Sequence, residues 1–254
     1  HTEISYHVDS GIKKPEDLLG KRLGVGEYQQ TAALWQRGIL EHDFGVSQFK
    51  VHWYMERTEE LSHGGATGFA PPPKISFQRI PPDKSMASML VNNELDAAAI
   101  NSPWMSTPSI IGRSHGVPGG GGDWSKVKLL FTDRMAEGRR FFKKWGFLPV
   151  NHAYTIRGDI YKKYPWVAFN LYTGFVKAKQ HFNAKLVDSI PTALFFGREY
   201  LAMTQEMFGD DPYPYGVKGN RKMIETLIDF SHEQGLTKKK MKVEELFAES
   251  TLDL

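Results

Sequence analysis

Apolar positions change their period along this chain, and the change separates an early part from a late one. Early on, short apolar runs at residues 4–8, 22–25, 49–54, 75–80, 95–100 and 127–131 read as strands bounded by turn residues. Between them, residues 31–42 and 82–93 carry apolar side chains at helical spacing, with Met86, Met89 and Leu90 on one face of the second. Strand, helix and strand in that order predict a parallel α/β unit rather than an antiparallel barrel. A short helix at 15–19 has Pro15 in its first turn and Gly20 at its end. A further strand is predicted at 147–156, where Pro149 implies an edge or a crossing between lobes. After Arg157 the pattern turns helical, at 160–163, 165–183, 190–208 and 221–234; Met223, Ile224, Leu227 and Ile228 form a core face on the last.

Glycine and proline mark the irregular stretches at 62–73 and 116–122. The glycines of the second precede Asp123–Trp124 rather than a helix opening with Lys–Ser or Lys–Thr, so they make no phosphate-binding loop. With 254 residues the chain has room for one large domain or two lobes. We expect two: an α/β lobe over 8–148 and, over 149–254, a return strand with a mostly helical remainder.

Composition mainly excludes. The net charge of +3, from 32 basic and 29 acidic residues, points to neither nucleic acid nor a membrane surface as partner. The chain has no cysteine, which removes disulfides, thiolate metal sites and a cysteine nucleophile. No apolar run approaches the length of a membrane span.

Candidate chemistry concentrates after the strand at 22–25, where a turn at Gly26 leads into the helix opening near Thr31. Glu27, Tyr28, Gln29, Gln30 and Thr31 then stand at a helix N-terminus, whose unpaired N–H groups and positive dipole end suit an anion. In an open α/β sheet, ligands sit beyond the carboxyl ends of the strands, where this turn lies. An ordinary strand–helix connection with polar surface residues is the competing account. Asn101, just after the strand at 95–100, falls on the same rim if the sheet is parallel. Arg139 and Arg140 suit a bidentate grip on a carboxylate, or, with Lys143 and Lys144, the charged face of a surface helix. Of nine histidines, His152 stands out by its place in the predicted strand, although a lone strand histidine is more often structural. HExxH does not occur.

Several segments carry a resemblance. GIKKPEDLLGKRLGV with its following turn and helix looks like the second lobe of type 2 periplasmic-binding-protein folds, of the kind that bind small anions. More specifically, GEYQQTAALWQRGIL, RIPPDKSMASMLVNNELDAAAI, FLPVNHAYTIRGDIYKKYPWVA and YPYGVKGNRKMIETLIDFSHEQGL resemble the 4,5-dihydroxyphthalate decarboxylase family. The resemblance runs from about Tyr6 to about Phe247, and the EYQ–T–A turn and PYG–NR segment are its most specific parts. Gly26 stands where that family usually has proline.

The resemblance implies an α/β fold of two lobes around a cleft, and non-oxidative decarboxylation of a hydroxylated aromatic acid. The family carries a further N-terminal region of roughly 70 to 80 residues, about half a domain, so the first lobe is expected to be incomplete and a homo-oligomer stays open. Within that reading, His152 is the expected proton donor and Glu27 its partner or the phenol base. Tyr28, Gln29, Gln30, Thr31 and Asn101 would bind substrate, and Arg139 or Arg140 would hold a carboxylate. The implied partner is a small aromatic carboxylate. No organic cofactor is expected, divalent metal stays open, and the implied compartment is the cytoplasm. The rival function on the same fold is a periplasmic solute-binding protein for a small aromatic or sulfonated anion.

Overall fold

Six short strands join in one sheet in the computed structural model, which describes residues 1–60, 68–99 and 123–254. They are β1 (Ser5–His7), β2 (Arg22–Val25), β3 (His52–Met55), β4 (Ser76–Arg79), β5 (Ala97–Ala98) and β6 (Val127–Leu129), in the order β4-β3-β2-β5-β1-β6. The expected parallel unit is formed by β4, β3, β2 and β5. β1 runs antiparallel to both of its neighbours, β5 and β6. Val25, Met55 and Arg79 stand in one row across three parallel strands.

The pleat sorts the sheet's side chains by period two. Leu23 and Val25 of β2, Trp53 and Met55 of β3, and Ala97 of β5 face α1 (Thr31–Phe44), whose Ala33 and Leu40 join the same core. Ala98 faces the other way, into a second core with Met86, Met89 and Leu90 of α2 (Met86–Val91) and with Leu95. α1 ends at Gly45, whose left-handed backbone (φ 68) returns its N–H to Leu40 and Glu41 carbonyls.

The remaining helices are α3 (Arg134–Trp145), α4 (Gly158–Lys163), α5 (Trp166–Ala184), α6 (Gly197–Phe208), α7 (Val217–Glu233) and α8 (Val243–Leu246). The chain divides into one unit of His1–Glu137 with Phe230–Lys239 and another of Gly138–Asp229 with Lys240–Leu254. A linear division at 148/149 does not capture this, because the residues that close α7 return to the first unit. There Phe230 lies on α1 at Gly38, where a Cβ would sit 2.0 Å from the Phe230 ring. Gly38 thus gives up helix propensity so that an aromatic ring can approach the backbone.

Two expectations need correction in the second unit. Residues 147–156 form no strand. Among the described residues this unit contains no strand to pair with them, and Pro149 offers no N–H. The helix expected at 190–208 begins only at Gly197, because Pro191 opens two successive tight turns, Leu194 N–H to Pro191 carbonyl and Gly197 N–H to Leu194 carbonyl. The 116–122 stretch, Ile100 and residues 62–67 of the other irregular stretch lie outside the described residues.

The PYG–NR segment is a structural joint of the second unit. Gly216 is left-handed (φ 96), and a Cβ there would meet the Leu254 carbonyl oxygen at 2.4 Å. The Asn220 amide donates to the Pro214 and Gly216 carbonyls at 2.6 and 2.8 Å, closing the loop that opens α7. Arg221 pairs with Glu244 at 2.8 Å. Among the described residues no helix is long and apolar enough to cross a membrane.

Candidate functional site

The carboxyl ends of β2, β3 and β4 bring together Glu27, Arg57 and Arg79. After β2 the ladder continues past the strand: Glu56 N–H donates to the Val25 carbonyl and Arg57 N–H to the Gly26 carbonyl, at 3.0 and 3.1 Å. That extension places Glu27 beside Arg57, whose Nη1 donates to Glu27 Oε1 at 2.9 Å. Both are buried, Glu27 at 1% exposure and Arg57 at 6%. Taking a carboxylate or a guanidinium out of water is costly, and pairing the two offsets part of that cost. Gln29 donates to the other Glu27 oxygen at a long 3.4 Å.

α1 starts immediately beyond. Its N-cap is Gln30, whose side chain makes no capping bond, and its first turn has no acidic residue. The positive end of a fourteen-residue helix therefore faces the rim without an anionic side chain of its own. Gln29, Gln30 and Thr31 are half-buried there.

Tyr28 is placed differently from the rim position expected of it. Its ring is fully buried among Trp53, Phe69 and Phe77, and its hydroxyl donates to Gln48 Oε1 at 2.6 Å. Burial raises the phenol's pKa. Tyr28 thus anchors the turn from beneath. The Arg37 guanidinium lies 3.7 Å over the same ring. Arg37 Nε donates to Gln234 Oε1 at 2.8 Å, while Nη1 and Nη2 have no hydrogen-bond partner among the described residues. Desolvation pulls its pKa down to about 10, which leaves it charged at neutral pH.

Two more ionisable groups share the rim. Glu56 accepts the backbone N–H of Met86 at 2.9 Å, and burial raises its pKa. Arg79, at the end of β4, donates from Nη1 to the Arg57 carbonyl at 2.9 Å and from Nη2 to Glu59 at 3.4 Å.

Three of the other expected site residues, His152, Arg139 and Arg140, belong to the second unit. His152 is exposed in the irregular 147–156 segment of the second unit and not in a strand. Arg139 and Arg140 sit on α3; Arg139 Nε points to Met207 Sδ at 2.6 Å. Asn101 lies outside the described residues. Among the described residues no three histidines, aspartates or glutamates gather as a metal site.

Sequence reasoning passed over Arg57, Arg79 and Arg37. A charged pair, Glu56–Arg57, directly after the apolar FKVHWYM run was the available signal for the first. For Arg37 it was helical spacing, since residues 33, 37 and 40 share one face and the two flanking ones are apolar.

No protein-family model matches the chain. It is 26% identical over 255 residues to a protein of Comamonas testosteroni named 4,5-dihydroxyphthalate decarboxylase, a match covering 100% of this chain and 73% of that protein. A Pseudomonas putida protein of the same name is 37% identical over 97 residues, 38% of each chain. The first match runs the whole length of this chain, which is therefore similar throughout to a protein named 4,5-dihydroxyphthalate decarboxylase.

Proposed function

We propose that the protein decarboxylates a hydroxylated aromatic acid, 4,5-dihydroxyphthalate or a close analogue, without an oxidant, on a fold of the type 2 periplasmic-binding-protein kind. The end-to-end similarity to a named decarboxylase carries the reading, and the Glu27–Arg57 pair supplies a chemical centre for it. A hydroxyl para to the carbon that loses its carboxylate makes the route feasible without an organic cofactor.

Glu27, paired with Arg57, takes the phenolic proton and makes the ring electron-rich. The N-terminus of α1 holds one substrate carboxylate, and Gln29, Gln30 and Thr31 orient ring oxygens. An acid then protonates the ring carbon bearing the leaving group, and an imidazole suits that transfer near neutral pH; we assign it to His152. The bond to the carboxylate breaks, its electron pair restores the aromatic ring, carbon dioxide leaves, and Glu27 returns its proton to the phenolate. One proton is consumed for each carbon dioxide released. General acid–base help of this kind contributes about two to four powers of ten in rate.

The test is a chromatographic assay with 4,5-dihydroxyphthalate, following 3,4-dihydroxybenzoate with and without a chelator. Enzyme-dependent product is the expected result, unchanged by chelation. Tight binding of ring acids with no turnover would replace this reading with a solute-binding function.

A further inference from the structure

Resting on that reading, we propose that Arg79 anchors the second carboxylate of the substrate and sets the preference for ring acids bearing two neighbouring carboxylates. The argument begins with strand register. Met55 and Arg79 are partners across β3 and β4, in the row that also holds Val25. Val25 and Met55 belong to the core on the α1 side of the sheet, so the pleat puts Arg79 on that side too. Arg57, two residues past Met55, repeats the same phase, and its carbonyl receives the Arg79 Nη1 donor at 2.9 Å. Glu27, Arg57 and Arg79 therefore follow one another across the carboxyl ends of β2, β3 and β4, on the face where α1 begins.

The three differ in exposure. Glu27 and Arg57 are buried in their mutual pair, whereas the Arg79 side chain is 38% exposed. Its carboxylate partner, Glu59, is 78% exposed at 3.4 Å, the kind of surface pair that contributes little. A guanidinium has five N–H donors, so after the Arg57 carbonyl is served Arg79 keeps a fork for a ligand carboxylate. A ring diacid presents two carboxylates on adjacent carbons; the positive end of α1 takes one and Arg79 the other, with the ring hydroxyls turned toward Glu27. A monoacid uses only the first position.

Calorimetric titration with phthalate and benzoate, neither of which carries the activating hydroxyls, separates binding from chemistry. Arg79→Met is expected to weaken phthalate about 10- to 100-fold and benzoate no more than about threefold, and to raise KM for 4,5-dihydroxyphthalate with kcat little changed. Arg79→Lys, which keeps the charge and loses the fork, restores phthalate only in part. Thermal melting confirms that each variant is folded, and Arg79→Gln replaces the methionine variant if that one is not. Equal weakening of both acids, or no weakening, in a wild-type protein that does turn over 4,5-dihydroxyphthalate would overturn this inference and leave the decarboxylase reading standing. A wild-type protein that neither binds phthalate nor releases product would overturn both.

Discussion

Arg57 Nη1 donates to Glu27 Oε1 across the ends of two adjacent parallel strands, and water reaches neither side chain appreciably. The pair joins a turn to a strand end, so one contact serves both the position of a candidate base and the local stability. Removing one partner strands the other as a buried charge. Arg57→Ala is therefore expected to cost about 3–5 kcal/mol in unfolding free energy, measured by urea titration, and to abolish turnover. A loss below about 1 kcal/mol would show that water reaches Glu27.

His152, assigned as proton donor, is exposed and lies outside regular structure. His152→Asn should leave the melting temperature and phthalate binding unchanged while product release ceases. Turnover surviving within about tenfold, below the contribution of a positioned general acid, would pass the role to another group.

Arg37 offers a test of buried charge without a carboxylate partner. Its guanidinium lies on Tyr28 and bonds Gln234, yet two of its nitrogens have no hydrogen-bond partner among the described residues. Arg37→Met keeps most of the volume and removes the desolvated charge, so its stability should stay within about 1 kcal/mol of wild type. Arg37→Ala empties the space over the ring and should cost about 2–5 kcal/mol. Equal losses for the two variants would mean that charge, not packing, holds this corner.

Asp96 gives the stability a defined acid limb. Its carboxylate accepts Arg22 Nη2, Nε and backbone N–H at 2.8, 3.0 and 2.8 Å. Burial opposes ionisation, but the hydrogen bonds and charge of Arg22 outweigh it and hold the carboxyl below its ordinary value of 3.8. A depressed folded-state pKa means stabilisation that is complete above the unfolded value and lost as pH falls through the folded one. Asp96→Asn should thus be less stable than wild type by about 1–2 kcal/mol at pH 7, with the gap closing only below about pH 4. A gap that closes between pH 5 and 7 would contradict the pairing.

Gly38→Ala pits helix propensity against close packing. The substitution favours α1 by up to about 1 kcal/mol, but the new methyl would lie 2.0 Å from the Phe230 ring. Overpacking should win, for a net loss of about 1–3 kcal/mol, and Phe230→Leu in the same chain should recover part of it. Calorimetric melting of the two single variants and the double variant reads the coupling.

Much of the first unit was legible because its signals are local. Period-two apolar runs locate β2, β3 and β4 to within a few residues, helical spacing locates α1, and Gly45 ends that helix through a left-handed backbone. The same reasoning failed at 147–156, where an alternating run has no strand partner within its own unit, and at 190–196, where turns beginning at Pro191 outrank apolar spacing. Glu27 was legible as a residue of chemical interest, whereas the burial of Tyr28 beside it was not. Both sit in one short polar-looking turn, and which side chain points inward depends on Gln48, Trp53 and Phe77 arriving from other elements.

Sequence by itself determined the order of strands and helices in the first unit, the helix-start chemistry after Val25 and the family likeness, since each rests on neighbours along the chain. Tertiary structure alone decided that Arg57 neutralises Glu27, that Arg79 shares its row with Val25 and Met55, and that Phe230 returns to Gly38. Those contacts join residues tens to nearly two hundred positions apart, and no local period encodes a partner at that distance. They follow from strand register, which turns the ends of β2, β3 and β4 into one rim.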